Sequence, residues 1–551
     1  MLLRAQRTQL VKFKSNQSEQ KLRGGYYTPQ DIADYVTNWV LKGNPKDILE
    51  PSCGDGAFFE SLHNNKCKKT LKIHGCELFE SEVKKSKKRC KDYGFKNATI
   101  TEGDFLSWAE NKVKSHEELY DGVIGNPPFI RYQFLENGFQ QHAENIFNHL
   151  DLKFTKHTNS WVPFILSAVS MLKAGGRLGM VIPSEIIHVM HAQSLREYLM
   201  DKCSKVLIID PQEIWFEDTL QGAVIIFAEK KKQAGRKTKV VSIEHVKGLD
   251  FLEKNSETLF KTANYVDAQS LSGKWTKAIL NQDERNLLDK IISKKNVSLF
   301  DDIANVEVGI VTGANDFFLV TDETVKKYNL KKYTQPMFGK SVHCKGVIYG
   351  KTQHKENKKS GYPTNFLYIK DVFNKLPASV QKYIKHGEEQ DLHKRYKCRI
   401  REPWYSVPSV FSSNLGMLKR AHDTPRLIFN ELNAYTTDTA YRVTTDKIDP
   451  KYLAYLFLNP LTAVFAELEG RYYGGGVLEL VPTEIRKLYI PIPKKLDHCL
   501  KSLDDMVRNY SMDSVLRLQG DKILGGIGLS KKDIQSVYFI WEKLKNRRQR
   551  K

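Results

Sequence analysis

The segment Tyr120-Asp121-Gly122-Val123-Ile124-Gly125-Asn126-Pro127-Pro128-Phe129 decides how this chain of 551 residues is read. Its first part is an apolar strand. Its last four residues form a rigid grip for an amino group on a planar ring. An exocyclic amine such as N6 of adenine is a poor nucleophile because its lone pair is delocalised into the ring. Two acceptors that bind its hydrogens bend the nitrogen toward tetrahedral geometry and free that pair. Asn126 offers a side-chain carbonyl and Pro127 a main-chain one. Pro128 restricts Pro127 to extended conformations, so both acceptors are presented rigidly. Phe129 supplies a ring that stacks on the base, its face toward the charge developing on nitrogen. A plain Asn-Pro turn is the competing reading, but it needs neither the second proline nor the aromatic.

Upstream lies a matching crevice. Asp47-Ile48-Leu49-Glu50-Pro51-Ser52-Cys53-Gly54-Asp55-Gly56-Ala57-Phe58-Phe59 reads as a strand, a glycine turn and a helix start. Small residues there let the backbone approach a ligand, and such crevices form at the carboxyl ends of parallel strands. Glu77 ends the next strand about 20 residues on, where an acid takes both hydroxyls of a ribose. A third strand ends in Gly103-Asp104-Phe105, an acceptor for an adenine amino group beside an aromatic wall. Asp104 as a helix cap and Glu77 as a solvated strand end are the plainer alternatives. A dinucleotide site also competes. It requires a third glycine where this chain has Phe59, and it leaves Asn126–Phe129 unexplained.

Strand-like runs near 46–50, 72–77, 98–102, 120–125, 176–182, 205–210 and 222–228 alternate with helical stretches. That alternation predicts an α/β fold, a doubly wound and mostly parallel Rossmann-like sheet with helices on both faces. Lys230 to Lys239 reads as a charged loop or linker, and 250–295 as helical. Beyond about residue 300 come short strands, irregular loops and interleaved basic and aromatic residues, and the last stretch reads as helical.

Lys and Arg outnumber Asp and Glu by 86 to 64, a formal net charge of +22. That excess points to a polyanionic partner, with nucleic acid foremost. No stretch approaches the roughly 18 apolar residues of a membrane span, so no membrane partner is expected. The basic start has no apolar core or cleavage site of a signal peptide. The eight cysteines form no Cys-x-x-Cys pair, which implies free thiols, a cytoplasmic setting and no metal site.

In this order the motifs resemble the amino-group DNA methyltransferases that use S-adenosylmethionine, specifically the TaqI-type (gamma-class) adenine-N6 enzymes. There a segment similar to Gly24-Gly25-Tyr26-Tyr27-Thr28-Pro29 precedes the glycine turn, and a mixed α/β target-recognition domain follows the catalytic one. The likeness is close from about 20 to 230. It is looser at Val308-Gly309-Ile310-Val311-Thr312-Gly313-Ala314-Asn315-Asp316-Phe317-Phe318 and Glu479-Leu480-Val481-Pro482. It implies a basic arm at 1–20, a catalytic domain at 21–245, a helical connector at 246–299 and a recognition domain at 300–551. It assigns S-adenosylmethionine to Thr28, Glu50, Cys53, Gly54, Gly56, Glu77, Asp104, Phe105 and Phe164. Asn126, Pro127 and Phe129 become catalytic, and Phe216 backs a flipped base. Arg399, Arg401 and Arg471 are candidates for DNA contact, lying in basic segments of which the second holds Gly474-Gly475-Gly476. Phe129 departs from the commoner tyrosine; stacking survives that change and a phenol's role does not. The expected partner is double-stranded DNA in a bacterial or archaeal cytoplasm, with a separate restriction endonuclease as a possible associate and the oligomeric state open. RNA and protein amino-group methyltransferases carry similar tetrapeptides but are usually much shorter. An inert DNA-binding protein on the same fold would not need the set Glu50, Glu77, Asp104 and Asn126.

Overall fold

Nine strands form one sheet: β1 (Asp47–Glu50), β2 (Lys72–Glu77), β3 (Ala98–Glu102), β4 (Tyr120–Gly125), β5 (Leu172–Pro183), β6 (Cys203–Pro211), β7 (Ala223–Lys230), β8 (Val240–Val246) and β9 (Val266–Asp267). Their order is β3-β2-β1-β4-β5-β7-β6-β8-β9. The computed structural model describes residues 27–68, 70–135, 137–212, 222–232, 239–271, 273–408, 410–473 and 475–550. The expected basic arm, Gly24 to Tyr26, and Phe216 lie outside them.

Strands β3 through β5 are parallel, and β7 runs antiparallel between β5 and β6. This is the expected doubly wound sheet. The chain order reverses between β1 and β4, so their carboxyl ends flank the crevice where open α/β sheets bind ligands. β5 and β7 are buried almost throughout, as strands covered on both faces must be. On one face α1 (Gln30–Leu41) contributes Trp39, whose ring stacks on Phe227 at 4.4 Å with Arg177 over it at 4.9 Å.

The chain divides into two compact units, the first ending at Asn281 and the second running from Gln282 to Arg550. This division falls inside the segment 246–299, which was expected to be a helical connector. Part of it completes the first unit: Phe251 and Phe260 are buried in the same core as Trp39, and β9 pairs with β8. Lys230 is likewise no linker residue. It ends β7 with its ammonium buried, donating to Glu118 at 2.8 Å and to the carbonyls of Ser170 and Leu172.

The second unit is mixed α/β. Its largest sheet has, from edge to edge, Asn305–Val308, Ala440–Thr444, Leu415–Leu418, Leu427–Asn430 and Ile348–Tyr349, antiparallel except for the last pair. Helices at Leu500–Asn509, Met512–Gln519 and Lys531–Gln549 follow. Asp504 ties the first of them to the sheet, accepting the amides of Val347 at 2.6 Å and Ile348 at 2.8 Å. Of the eight cysteines, all free, only Cys499 is exposed. No helix among the described residues is long and apolar enough to cross a membrane.

Candidate active site

The turn after β1 bends through Gly54 at φ +51° and Gly56 at φ +92°, a left-handed backbone that side chains resist. Gly56 is the N-cap of α2 (Ala57–Asn64). The turn is stitched to the next strand: the Cys53 amide donates to the Cys76 carbonyl at 2.9 Å, and the Gly54 amide to Glu77 Oε2 at 2.8 Å. The other oxygen of Glu77 accepts the Phe79 amide at 3.0 Å. Phe59, which stands where a dinucleotide site has its third glycine, is fully buried against β2. A Cβ on Gly75 would lie 2.9 Å from its ring and 3.2 Å from Cys53 Sγ. The close packing glycine of this chain is thus on the strand, across from the helix.

Glu50 is the anomaly of the crevice. It is 1% exposed, and its Oε2 has no hydrogen-bond partner among the described residues. Burial lifts its carboxyl well above the usual carboxylate range, and Asp55 and Glu77 push in the same direction. An isolated buried carboxylate is costly until a cation meets it. Such an acid beside a glycine turn fits a cationic ligand carrying a nucleoside, as S-adenosylmethionine does.

Asp104 caps α4 (Phe105–Lys114; α3 spans Glu80–Asp92), its two oxygens accepting the amides of Leu106 at 3.3 Å and Ser107 at 3.0 Å. Behind it Phe105 meets Phe164 at 4.9 Å between centroids, and Phe164 meets Phe139 at 6.4 Å. The three rings therefore form a continuous row. α5 (Asn137–His149) and α6 (Trp161–Ser170) supply the last two rings.

At the end of β4, Asn126 Nδ2 donates to Thr28 Oγ1 at 3.1 Å, and Thr28 is buried. The two expected sets, cofactor side and target side, thus touch through this pair. Ser52 Oγ donates to the Asn126 carbonyl at 3.0 Å, and Phe129 is half-buried against the core. Reading the sequence passed over Ser52, Asn159 and Ser160, which all anchor this loop. The signal was present, since a Pro-Pro pair lacks amide donors and its carbonyls call for hydroxyls nearby.

In the second unit the expected DNA arginines diverge. Arg401 donates to the carbonyls of Val311 at 2.6 Å and Thr312 at 2.7 Å, fixing the glycine-bearing loop that resembles recognition domains. Arg471 pairs with buried Glu484 at 2.8 Å. The loop at Gly475–Gly476 approaches protein, because a Cβ on Gly476 would stand 2.9 Å from Gln549 Cα. Arg399 is exposed beside Tyr396, its guanidinium 5.7 Å from that ring, with Lys397 at 5.4 Å.

Two family models match the chain, overlapping at residues 272–307 across the boundary between the units. Residues 9–307 match the N-6 DNA Methylase family, and residues 272–524 match the C-terminal domain of type II methyltransferase M.Eco57I. The chain is 25% identical over 481 residues to type II methyltransferase M.AccI of Acinetobacter calcoaceticus, covering 84% of both chains. It is 23% identical over 398 residues to type II methyltransferase M.HindII of Haemophilus influenzae, covering 63% of this chain and 65% of that one. Among solved structures, the type IIG restriction endonuclease BpuSI is similar at 12% identity and a TM-score of 0.42, over 95% of this chain and 66% of that one. The first match spans more than half the sequence and contains the whole Asn126 site: the chain belongs to the N-6 DNA methylase family, as a DNA adenine methyltransferase using S-adenosylmethionine.

Proposed function

We propose that the chain is a site-specific methyltransferase of the TaqI-type gamma class, which extrudes one adenine from a short duplex sequence and methylates its N6. The observation that carries this reading is the Asn126–Thr28 contact at 3.1 Å, which joins the amine-gripping loop to the wall of the cofactor crevice. S-adenosylmethionine supplies an activated sulfonium methyl. Glu50 would receive the cationic end of that molecule and Glu77 would use its remaining lone pairs on ribose, with Cys53 to Gly56 lining the pocket. Asp104 accepts from its adenine amino group, which Phe105 and Phe164 enclose. The carbonyls of Asn126 and Pro127 take the two hydrogens of the target amine, and Phe129 stacks on the base. Phe216 is the candidate for its other face. Placement and preorganised dipoles then do most of the catalysis.

Sequence choice belongs to the second unit in this reading. Arg399, with exposed Tyr396 and Lys397, offers cation and ring together to DNA, and the charge of +22 favours phosphate contact. Arg401 and Arg471 act by shaping loops. The relatives' names are those of type II methyltransferases, which supports a modification role in a restriction-modification system with a separately acting nuclease.

The decisive experiment expresses the chain in a methylation-free host and maps modified bases by single-molecule sequencing. A recurrent short motif with N6-methyladenine is expected, and Asn126→Ala should erase it, since one lost polar contact to a transition state costs about 10²–10³ in rate. Unmodified DNA alongside methylated RNA or protein would overturn the proposal.

A further inference from the structure

The prolines that stiffen the Asn126–Phe129 loop also strip it of donors. Neither Pro127 nor Pro128 has an N–H, so the main chain of the pair itself can be held only by donors that reach its carbonyls and that of Asn126. Two serine hydroxyls do so. Ser52 donates to the carbonyl of Asn126 at 3.0 Å, and Ser160 donates to the carbonyl of Pro128. The Pro127 carbonyl lies between them, and no described residue donates to it.

Ser160 is itself held firmly. Its hydroxyl accepts the Ile130 amide at 2.8 Å, and its own amide donates to the Ile130 carbonyl at 3.0 Å. Next to it, Asn159 accepts the Tyr132 amide at 3.1 Å and donates to Glu185, just beyond β5, at 2.9 Å. Ser160 stands at the N-cap of α6, the position where a serine hydroxyl usually caps its own helix. Here it makes no such cap and is wholly buried. The hydroxyl is turned to the loop instead.

We infer that Ser52 and Ser160 are positioning residues that occupy the carbonyls on either side of Pro127 and so leave the Pro127 carbonyl to the target amine. The peptide planes before Pro127 and after Pro128 are each fixed by a hydroxyl, and both intervening φ angles are locked by rings. The middle carbonyl then has one orientation. This inference rests on the reading that Asn126 and Pro127 receive the amine.

The test uses the full chain with Ser160→Ala, Ser52→Ala and the double variant. It measures single-turnover methyl transfer to DNA from a methylation-free host, cofactor affinity, and hydrogen exchange of the peptide containing Ile130. Ser160→Ala should slow single-turnover transfer about 10- to 100-fold, the order expected when a reacting group is slightly misplaced. Cofactor affinity should be unchanged and exchange at Ile130 faster. Ser160→Cys, which keeps a weak donor, should recover part of the rate. The double variant should lose less than the product of the single losses, because both act on one carbonyl. Faster exchange at Ile130 with an unaltered transfer rate would overturn the inference, as would a parallel loss of cofactor affinity and rate. Wild-type transfer to adenine N6 tests the underlying reading separately.

Discussion

Among single residues, Glu50 is where the proposed cofactor role sets function against stability. Its Oε2 is buried without a hydrogen-bond partner among the described residues, and burial raises its carboxyl. Between the ordinary carboxylate pKa and that raised value, the folded chain holds a proton that the unfolded chain has released. Stability of the cofactor-free protein therefore falls as pH rises through this window, and is greatest below it. Glu50→Gln removes the ionisation. Above the window the variant should melt at a higher temperature than wild type, while its affinity for S-adenosylmethionine drops about 10- to 100-fold, the worth of one hydrogen bond to a charged group. Thermal melts from about pH 5 to 9 and calorimetric titration measure both. A variant that is less stable and binds as before would make Glu50 a structural acid.

For the elements, the unit that matters is strand, turn and helix across β1, β2 and α2. A Cβ on Gly75 would meet Ile100 Cδ1 at 2.8 Å, the Phe59 ring at 2.9 Å and Cys53 Sγ at 3.2 Å. Gly75→Ala should cost about 1–3 kcal/mol, as overpacking does, and should weaken cofactor binding by displacing the Cys53–Gly56 turn. Phe59→Leu in the same chain should return part of both. The seven strands were legible because each is a short apolar run bounded by turn residues. β8 was not, since Val240–Val246 follows a lysine-rich stretch and mixes Glu244 and His245 with its apolar residues. Glu77 and Asp104 were legible as acids at strand ends. Their hold on the amides of Gly54, Phe79, Leu106 and Ser107 depends on backbone geometry that composition does not carry. The hold of Arg401 on its loop was hidden for a related reason, because its partners Val311 and Thr312 are about 90 residues distant in the chain and meet it only after folding.

For the whole molecule, the boundary after Asn281 changes where the chain can be cut. A fragment ending at Asn281 keeps Phe251, Phe260 and β9 with the first core. It should fold, bind S-adenosylmethionine and lack sequence preference. A fragment ending at residue 245 loses both phenylalanines and should be destabilised by several kcal/mol, since emptying one such core site costs about 3–5 kcal/mol. Melting of the two fragments separates these outcomes, and a shorter piece as stable as the longer would refute the boundary. With the full chain, DNA affinity should fall with salt at a log–log slope of about −4 to −8; a flat response would remove phosphate from the interface.

The burial of the thiols gives the protein a ready chemical handle. Burial raises Cys76, Cys90, Cys203 and Cys344 to about 12, so little nucleophilic thiolate forms on them near neutral pH. Cys499 alone is exposed. A maleimide dye should therefore attach to the native chain first at Cys499, on the second unit, with the half-buried Cys67 following more slowly, without any residue being replaced. In denaturant all eight cysteines become reactive. The same reagent then serves twice, as a fluorescent reporter of DNA engagement in the cold and as a clock for unfolding when heated.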